Sequence, residues 1–448
     1  MFEGETLIPL KLNPPYTVLH CSTRLPPLLL NQSHISSSLI PEHMDSDEEK
    51  QVVSPESGNK ISAVIFFAAC VHGFAAASIK SSPQTWVTIF IGSLSYVMGC
   101  LITGFLVNRY TSRQVSLIAT FLMKACLIFA TGSSLNSEPW LMVSLSISSL
   151  LSSCIDVTMT AWILNLWQDH TMDTLLWTSA SYSAGFVISY FCPMGRGFFS
   201  LDKIAASLMI LVSLTVAILW RQVTLQHTKR RVKDGKVQPG AESDDVVVVR
   251  VIKPFSNIVI LIAVSCIIIF LIRILWFNTI LILKYFYFEI GFSVHLPLAE
   301  VTLRLLMTST VTVFILVSRI GEFSRKILVH ISLCLILIGT LFLIVTERNP
   351  SLMWAALAFL GFGFSSIIPL LFCVLERVIN VTDRVTGILM AVIGLSDLVK
   401  LNAQANSFSR HLYSCANIAV ATVAIILFIS MSYAESKFTS RSKRRPRD

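Results

Sequence analysis

Lys124, Asp156, Arg273, Glu300, Arg304 and Asp397 each stand within, or at the edge of, a long apolar run of sequence. An ionisable side chain in such a place is costly unless it is paired, hydrated or protonated, which makes it a functional candidate by default. Asp156 is followed one helical turn later by Thr160, so a carboxylate and a hydroxyl share one helix face. Such a pair would ligate a cation or a polar solute; the competing expectation is a structural ion pair between Asp156 and Lys124. At about 1.5 Å per residue, Asp156 lies ~9 Å from the inner end of its helix, Asp397 ~18 Å and Arg273 ~26 Å. Asp397 would therefore sit near mid-membrane and bind a coupling ion or face a polar wall. Arg273 would either snorkel to the outer surface or place a charge at the outer mouth of a path. Glu300 and Arg304, spaced i,i+4 with the acid first, are expected to pair locally.

A second group lies between apolar runs. Gly104-Phe-Leu106-Val-Asn108-Arg109-Tyr-Thr111-Ser-Arg113 is a basic turn, whereas the turn holding Asp169 and Asp173 has no Lys or Arg. Taken alone, these are solvated loop charges of little energetic worth. The aromatic residues Trp162, Trp177, Tyr182 and Trp354 could cover the apolar face of a sugar ring while hydroxyl-bearing side chains bind its polar edge. Trp140 and Trp167 fit a membrane-interface belt better. His72 beside Gly73 would line a path or serve as a packed polar residue.

These residues need positioning elements. Hydrophobic residues make up 54% of the chain and charged residues 14%, with a mean hydropathy of +0.71; a soluble chain is about a quarter charged. A spanning helix needs about 20 apolar residues, and twelve such stretches fit the chain. The expected layout is a polar cytosolic tail over residues 1–60, six segments within 61–220, a basic cytosolic linker over 221–253, six segments within 254–434 and a basic tail over 435–448. The aromatic stretch 278–296 would extend the seventh helix or lie at the interface. Placing the N-terminus inside puts most of the 35 Lys and Arg residues on the inner face, both tails included. Six segments, a basic loop and six more is the pattern of two similar halves. A similar spacing separates Arg109 from Arg319 and Gly185 from Gly394, which supports a repeat weakly. The fold expected is an all-α membrane protein of twelve transmembrane helices in two six-helix bundles. No phosphate-binding Gly-x-x-x-x-Gly-Lys-Ser/Thr loop, no His-Glu-x-x-His and no Gly-x-Ser-x-Gly occurs. An ATP-driven pump and an intramembrane hydrolase therefore lack support.

The turn from Gly104 to Arg113 resembles the loop 2–3 signature of the major facilitator superfamily, Gly-x-Leu-x-Asp-Arg-x-Gly-Arg-Arg/Lys. Gly104, Leu106, Arg109 and Arg113 match; Asn108 stands for the acid and Thr111 for the second glycine. Ile155-Asp156-Val-Thr-Met-Thr160 with Asn165-Leu-Trp167, Gly361-Phe-Gly363-Phe-Ser-Ser366-Ile-Ile-Pro369 with Glu376, and Gly394-Leu-Ser-Asp397 are similar to stretches of its sodium-dependent glucose transporter-like branch. Thr160 replaces that branch's Asn, Ser181 and Tyr182 stand where its fifth helix has a His, and Arg273 occupies a helix whose family glutamate has no counterpart.

The resemblance implies a secondary transporter, not an enzyme, that moves a small polar organic solute by alternating access. A hexose is the first expectation, with sodium or a proton as coupling ion and no other cofactor. It implies a substrate or ion path through Asp156, Thr160, Trp162, Trp177, Tyr182, His72, Arg273 and Asp397. The inner gate would comprise Gly104, Asn108, Arg109, Arg113, Asp169 and Asp173. Another organic solute with proton coupling or facilitated diffusion, and a receptor or scaffold that no longer transports, are the alternatives. Expected partners are the solute and the lipid bilayer, with no nucleic acid; the plasma membrane is expected over internal membranes.

Overall fold

The computed structural model describes residues 55–80, 86–107, 110–134, 138–166, 171–192, 201–234, 255–289, 296–320, 324–345, 351–379, 381–398 and 410–444. Within them lie twelve helices: α1 (Pro55–Lys80), α2 (Trp86–Leu106), α3 (Arg113–Ser134), α4 (Glu138–Leu166), α5 (Thr171–Phe191), α6 (Leu201–Asp234), α7 (Phe255–Glu289), α8 (Leu296–Ile320), α9 (Arg325–Val345), α10 (Ser351–Ile379), α11 (Asp383–Asp397) and α12 (Arg410–Arg444). Among the described residues nine of these helices are long and apolar enough to cross a membrane. In lipid each backbone polar group must be satisfied within its own segment, and only helices of this length or closed barrels achieve that. The helix from Phe255 continues to Glu289, so most of the aromatic stretch extends α7. Helix α6 likewise runs on to Asp234, past the end of its apolar part.

The helices pack as two bundles with matching internal contacts. In the first half α1 packs on α5 and α6, α2 on α4, and α3 on α4 and α6; adding six to every label gives the second half's contacts, α7 on α11 and α12, α8 on α10, and α9 on α10 and α12. The repeat hinted at by chain spacing is thus present in the packing. Its two glycines do not share a role, however. Gly185 meets the carbonyl of Cys70 on α1, whereas Gly394 meets Tyr96 and Val97 on α2, in the other half. Arg109 lies outside the described residues.

Small residues set the closest helix approaches, as expected where lipid tails supply no hydrophobic drive to association. A Cβ at Gly73 would run into the Tyr182 carbonyl and one at Gly185 into the Cys70 carbonyl, so α1 and α5 touch backbone to backbone at both positions. Between the bundles α2 packs on α11 and α5 on α8, with α4 on α11 and α5 on α10 completing the seam. Moving each label by six, with numbers above twelve restarting at one, turns α2–α11 into α8–α5 and α4–α11 into α10–α5.

Candidate functional site

Between the two bundles lies a cavity of about 720 Å³. Successive helices alternate in direction, so the ends of α2 and α4 and the starts of α5 and α11 lie on the same side as the start of α1 and the end of α12. On that side the bundles are closed. Gly104 of α2 sits where a Cβ would come within 3.0 Å of the Asp383 carbonyl and 3.1 Å of Gly387 Cα. Above this crossing Arg113 grips Asp383 with both arms: Nε donates to Oδ1 at 3.0 Å and Nη2 to Oδ2 at 2.9 Å. The two side chains are only 11% and 9% exposed. Away from the termini the cavity runs to the helix ends, where Ala77, Thr88, Tyr190, Leu201, Glu300 and Asp397 line it.

The first bundle supplies a hydroxyl-rich wall: Thr88 and Ser93 from α2, Ser148, Ser149, Ser152 and Thr160 from α4, and Thr178, Ser179 and Ser183 from α5. Two of these hydroxyls donate back to the carbonyl four residues earlier, Ser152 to Ser148 at 2.8 Å and Thr178 to Thr174 at 2.7 Å. The second bundle supplies rings, Trp276 and Phe277 from α7 and Phe364 and Phe372 from α10. Trp276 and Phe364 meet edge to face at 5.4 Å.

Asp156 stands in the first wall and gathers the other polar groups of that bundle. Its Oδ1 lies 3.2 Å from His72 Nε2, and its Oδ2 accepts from the Tyr96 hydroxyl at 2.7 Å. Lys124 does not reach Asp156 directly. Its Nζ lies 3.3 Å from His72 Nδ1 and donates to Ser152 Oγ at 2.6 Å, so the chain of contacts runs through the imidazole. Lys124 is fully buried and His72 2% exposed. His72 packs edge-on to Phe121 and 5.4 Å from the Tyr182 ring.

Across the cavity Arg273 does not snorkel outward. Its Nη2 donates to Asp397 Oδ1 at 3.2 Å, joining α7 to α11, and both residues line the cavity. Arg273 Nε is buried without a hydrogen-bond partner. Glu300 and Arg304 pair within α8 as their spacing predicts, Nη2 to Oε1 at 2.8 Å. The Arg304 guanidinium also lies over Phe186 at 4.4 Å, Tyr182 at 5.3 Å and Trp276 at 5.6 Å, so it contacts rings of both bundles.

The cavity thus brings together six of the eight expected path residues, His72, Asp156, Thr160, Tyr182, Arg273 and Asp397, and with them Glu300 and Arg304. It does not include the other aromatic candidates. Trp162 is buried in the bundle core, and Trp177 and Trp354 are exposed on the outside of the helices, 36% and 54%. Tyr96, Trp276 and the acid Asp383 were missed. Tyr96 and Trp276 occupy apolar stretches with nothing beside them to mark a polar role. Asp383 opens a helix next to Arg384, and its distant partner leaves no trace in local spacing. Of the gate residues, Gly104 and Arg113 stand at the closed side, with Asp383 the acid on Arg113; Asp173 lies in the first turn of α5, with interactions of its own. Asn108, Arg109 and Asp169 lie outside the described residues.

Two matched six-helix bundles, sealed at one end and sharing a cavity between them, define a secondary transport protein. The chain belongs to the major facilitator superfamily, whose family model matches residues 60–399. Members of that family are transporters rather than enzymes, and the chain is accordingly an integral multi-pass membrane protein. No curated protein sequence matches it. Among solved structures it is similar to the proton:xylose symporter XylE bound to 6-bromo-6-deoxy-D-glucose, with a TM-score of 0.58, 12% identity and coverage of 83% of this chain and 95% of that one. It is similar also to the human organic anion transporter MFSD10 (TETRAN), with a TM-score of 0.57, 14% identity and coverage of 86% and 100%. At these identities the likeness concerns the fold.

Proposed function

We propose that the chain carries a small polar organic solute, a hexose first, through the cavity between its bundles by rocking one bundle against the other. The observation that carries this is the division of the cavity walls. Hydroxyls of Thr88, Ser93, Ser148, Ser149, Thr160 and Thr178 face one side, and the rings of Trp276, Phe277 and Phe364 the other. A pyranose has the same two characters, a rim of hydroxyls and an apolar ring face, and it is neutral. The lining charges are already engaged with protein, Asp156 with His72 and Tyr96, Arg273 with Asp397, and Arg304 with Glu300. A neutral solute leaves those pairs intact.

The motif likeness of Asp156, Gly361, Pro369 and Asp397 to the sodium-dependent glucose transporter-like branch supports the same substrate class. The basic tails support a cytosolic side for both termini, and we assign the protein to the plasma membrane. Arg113 and Asp383 then form the cytosolic gate. The test is uptake of labelled D-glucose, an amino acid mixture and organic acids into vesicles holding the purified chain. Saturable D-glucose uptake competed by other hexoses is the expected result. Saturable uptake of an organic acid alone would overturn the substrate class, and uptake of none would favour a receptor.

A further inference from the structure

We propose that the far ends of α6 and α12 are two basic brackets, one on each bundle, that bind anionic phospholipid headgroups of the adjoining leaflet. The orientation argued above makes that leaflet the cytosolic one; the proposal otherwise stands apart from the solute.

Both helices overrun the bilayer. Their apolar spans end at Gln222 and Ala434, yet the helices continue to Asp234 and Arg444. With 34 and 35 residues at about 1.5 Å each, they are roughly 51–53 Å long, against about 40–45 Å for a bilayer with its headgroups. A helix that begins in one headgroup layer therefore ends just beyond the opposite one. In α6 that end carries Arg221, Lys229, Arg230, Arg231 and Lys233 against one acid, Asp234. In α12 it carries Lys437, Arg441, Lys443 and Arg444 against Glu435. The two helices are six labels apart, so the same device occurs once in each half of the repeat.

Helical register ties these charges to the lipid-facing side. α6 packs on α1 and α3, and α12 on α7 and α9, all within their own bundles. Leu211, Leu214 and Ile218 on α6 are exposed, as are Val423, Ile426 and Tyr433 on α12, and in a membrane protein such a side meets lipid. At 3.6 residues per turn, Lys229 and Lys233 return to the face of Leu211, Leu214 and Ile218. Lys437, Arg441 and Arg444 return to the face of Val423, Ile426 and Tyr433. The helix side that touches acyl chains thus meets the headgroups of the same lipids where it leaves the hydrocarbon. On the same rise, Lys229 and Lys233 lie ~11 and ~17 Å past Gln222, and Lys437, Arg441 and Arg444 ~5, ~11 and ~15 Å past Ala434. A headgroup layer of about 5–8 Å plus a Debye length of about 8 Å covers most of that reach.

An excess of Lys and Arg would orient the chain from any short loop. Orientation alone does not call for ordered helices that carry the charges along the lipid-facing stripe, nor for two of them at equivalent places. An acidic protein is the other class of partner; the alignment of charge with the lipid stripe favours the headgroups.

The test is electron spin resonance of trace spin-labelled lipid around the full chain in phosphatidylcholine bilayers. Labelled phosphatidylserine and phosphatidylcholine are compared for their share of the motionally restricted boundary layer. Each Lys or Arg near the surface favours an anionic lipid about fivefold. Averaged over a boundary layer of which the brackets touch only a part, a preference of about twofold for phosphatidylserine is expected at low salt. It should fall toward one at about 1 M salt, where the Debye length is ~3 Å. Lys229→Gln, Arg230→Gln, Arg231→Gln and Lys233→Gln together should remove about half of the excess, because they empty one bracket of two. Adding Lys437→Gln, Arg441→Gln, Lys443→Gln and Arg444→Gln should abolish it, whereas Lys→Arg changes at the four lysines should keep it. A parent preference of one, or one that survives high salt or the full Gln set, overturns the proposal. So does a parent without lipid preference that binds poly-L-glutamate, which would assign the brackets to an acidic protein. The salt series uses the parent chain alone and stays readable if a Gln variant fails to fold. Both leaflets share one composition and no solute is present, so failure here leaves the orientation and the transport reading standing.

Discussion

Asp383→Asn tests whether the pair with Arg113 holds the terminal side of the cavity shut. The substitution keeps the shape of the side chain but removes its charge and turns one acceptor into an amide that faces the guanidinium. Both side chains are about nine-tenths covered, so water does little to replace the lost contact. A hydrogen bond to a charged group is worth about 1.5–3 kcal/mol. Taking ~2 kcal/mol from the closed state raises the ratio of opened to closed molecules about 30-fold. Cys100 reports the opening. It is free and buried between α2, α4 and α11 with Val97, Val157 and Ala391, and its carbonyl lies against Gly387 just inside the pair. When opening is fast relative to alkylation, the maleimide labelling rate of Cys100, read by peptide mass spectrometry, follows the opened population. It should rise about 30-fold in Asp383→Asn, in line with that ratio. Exchanging the charges, Arg113→Asp with Asp383→Arg, should return it most of the way. A rate within twofold of the parent in the single variant, or effects of the two positions that simply add, would show that the helix crossing alone keeps this side shut.

Gly73→Val drives two branches into the backbone of α5, so the full-length protein should lose its monodisperse detergent-solubilised peak; Gly92→Ala, which meets only Ser149 Oγ at 3.3 Å, should keep it. Trp276→Ala removes a ring from the cavity wall and should weaken half-saturation for D-glucose by tenfold or more with surface expression retained. Trp354→Ala, on the outside of α10, should leave uptake within twofold. Tags after Met1 and before Asp448 should both be reached by antibody only in permeabilised cells. In the proposed orientation the Asn-x-Ser/Thr sequons at Asn31 and Asn380 would both be cytosolic, so the chain should also show no glycosidase-sensitive mobility shift.

Helix number and the division into two halves were legible because long apolar runs and the basic stretch between them are local features. Asp156, Arg273 and Asp397, which line the cavity, were legible as candidates for a similar reason: a charge in an apolar run announces itself. Their partners were not. The shift from a direct Lys124–Asp156 pair to one relayed by His72 depends on how α1, α3 and α4 rotate against each other, and spacing along one helix carries no information on that. Arg113 was expected at an inner gate on local grounds, but the acid it binds, Asp383, is 270 residues away. Aromatic residues misled for a different cause. Trp162, Trp177 and Trp276 look alike in a uniformly apolar sequence, and only the helix face separates core, lipid-facing surface and cavity.

Helix α5 poses a problem of manufacture. It is absent from the helices apolar enough to cross a membrane by composition, because Thr174, Thr178, Ser179, Ser181, Ser183 and Ser189 interrupt its length. Left alone against lipid it would hold its place poorly, yet in the finished protein it is clamped to α1 through Gly73 and Gly185. Its proper neighbour is therefore synthesised roughly a hundred residues before it, at the very start of the bundle. During synthesis α1 must keep that glycine-lined side vacant while α2, α3 and α4 emerge, and α5 must find it before the chain moves on. The first bundle cannot be completed in the order in which it is made; its oldest helix is the last to be covered.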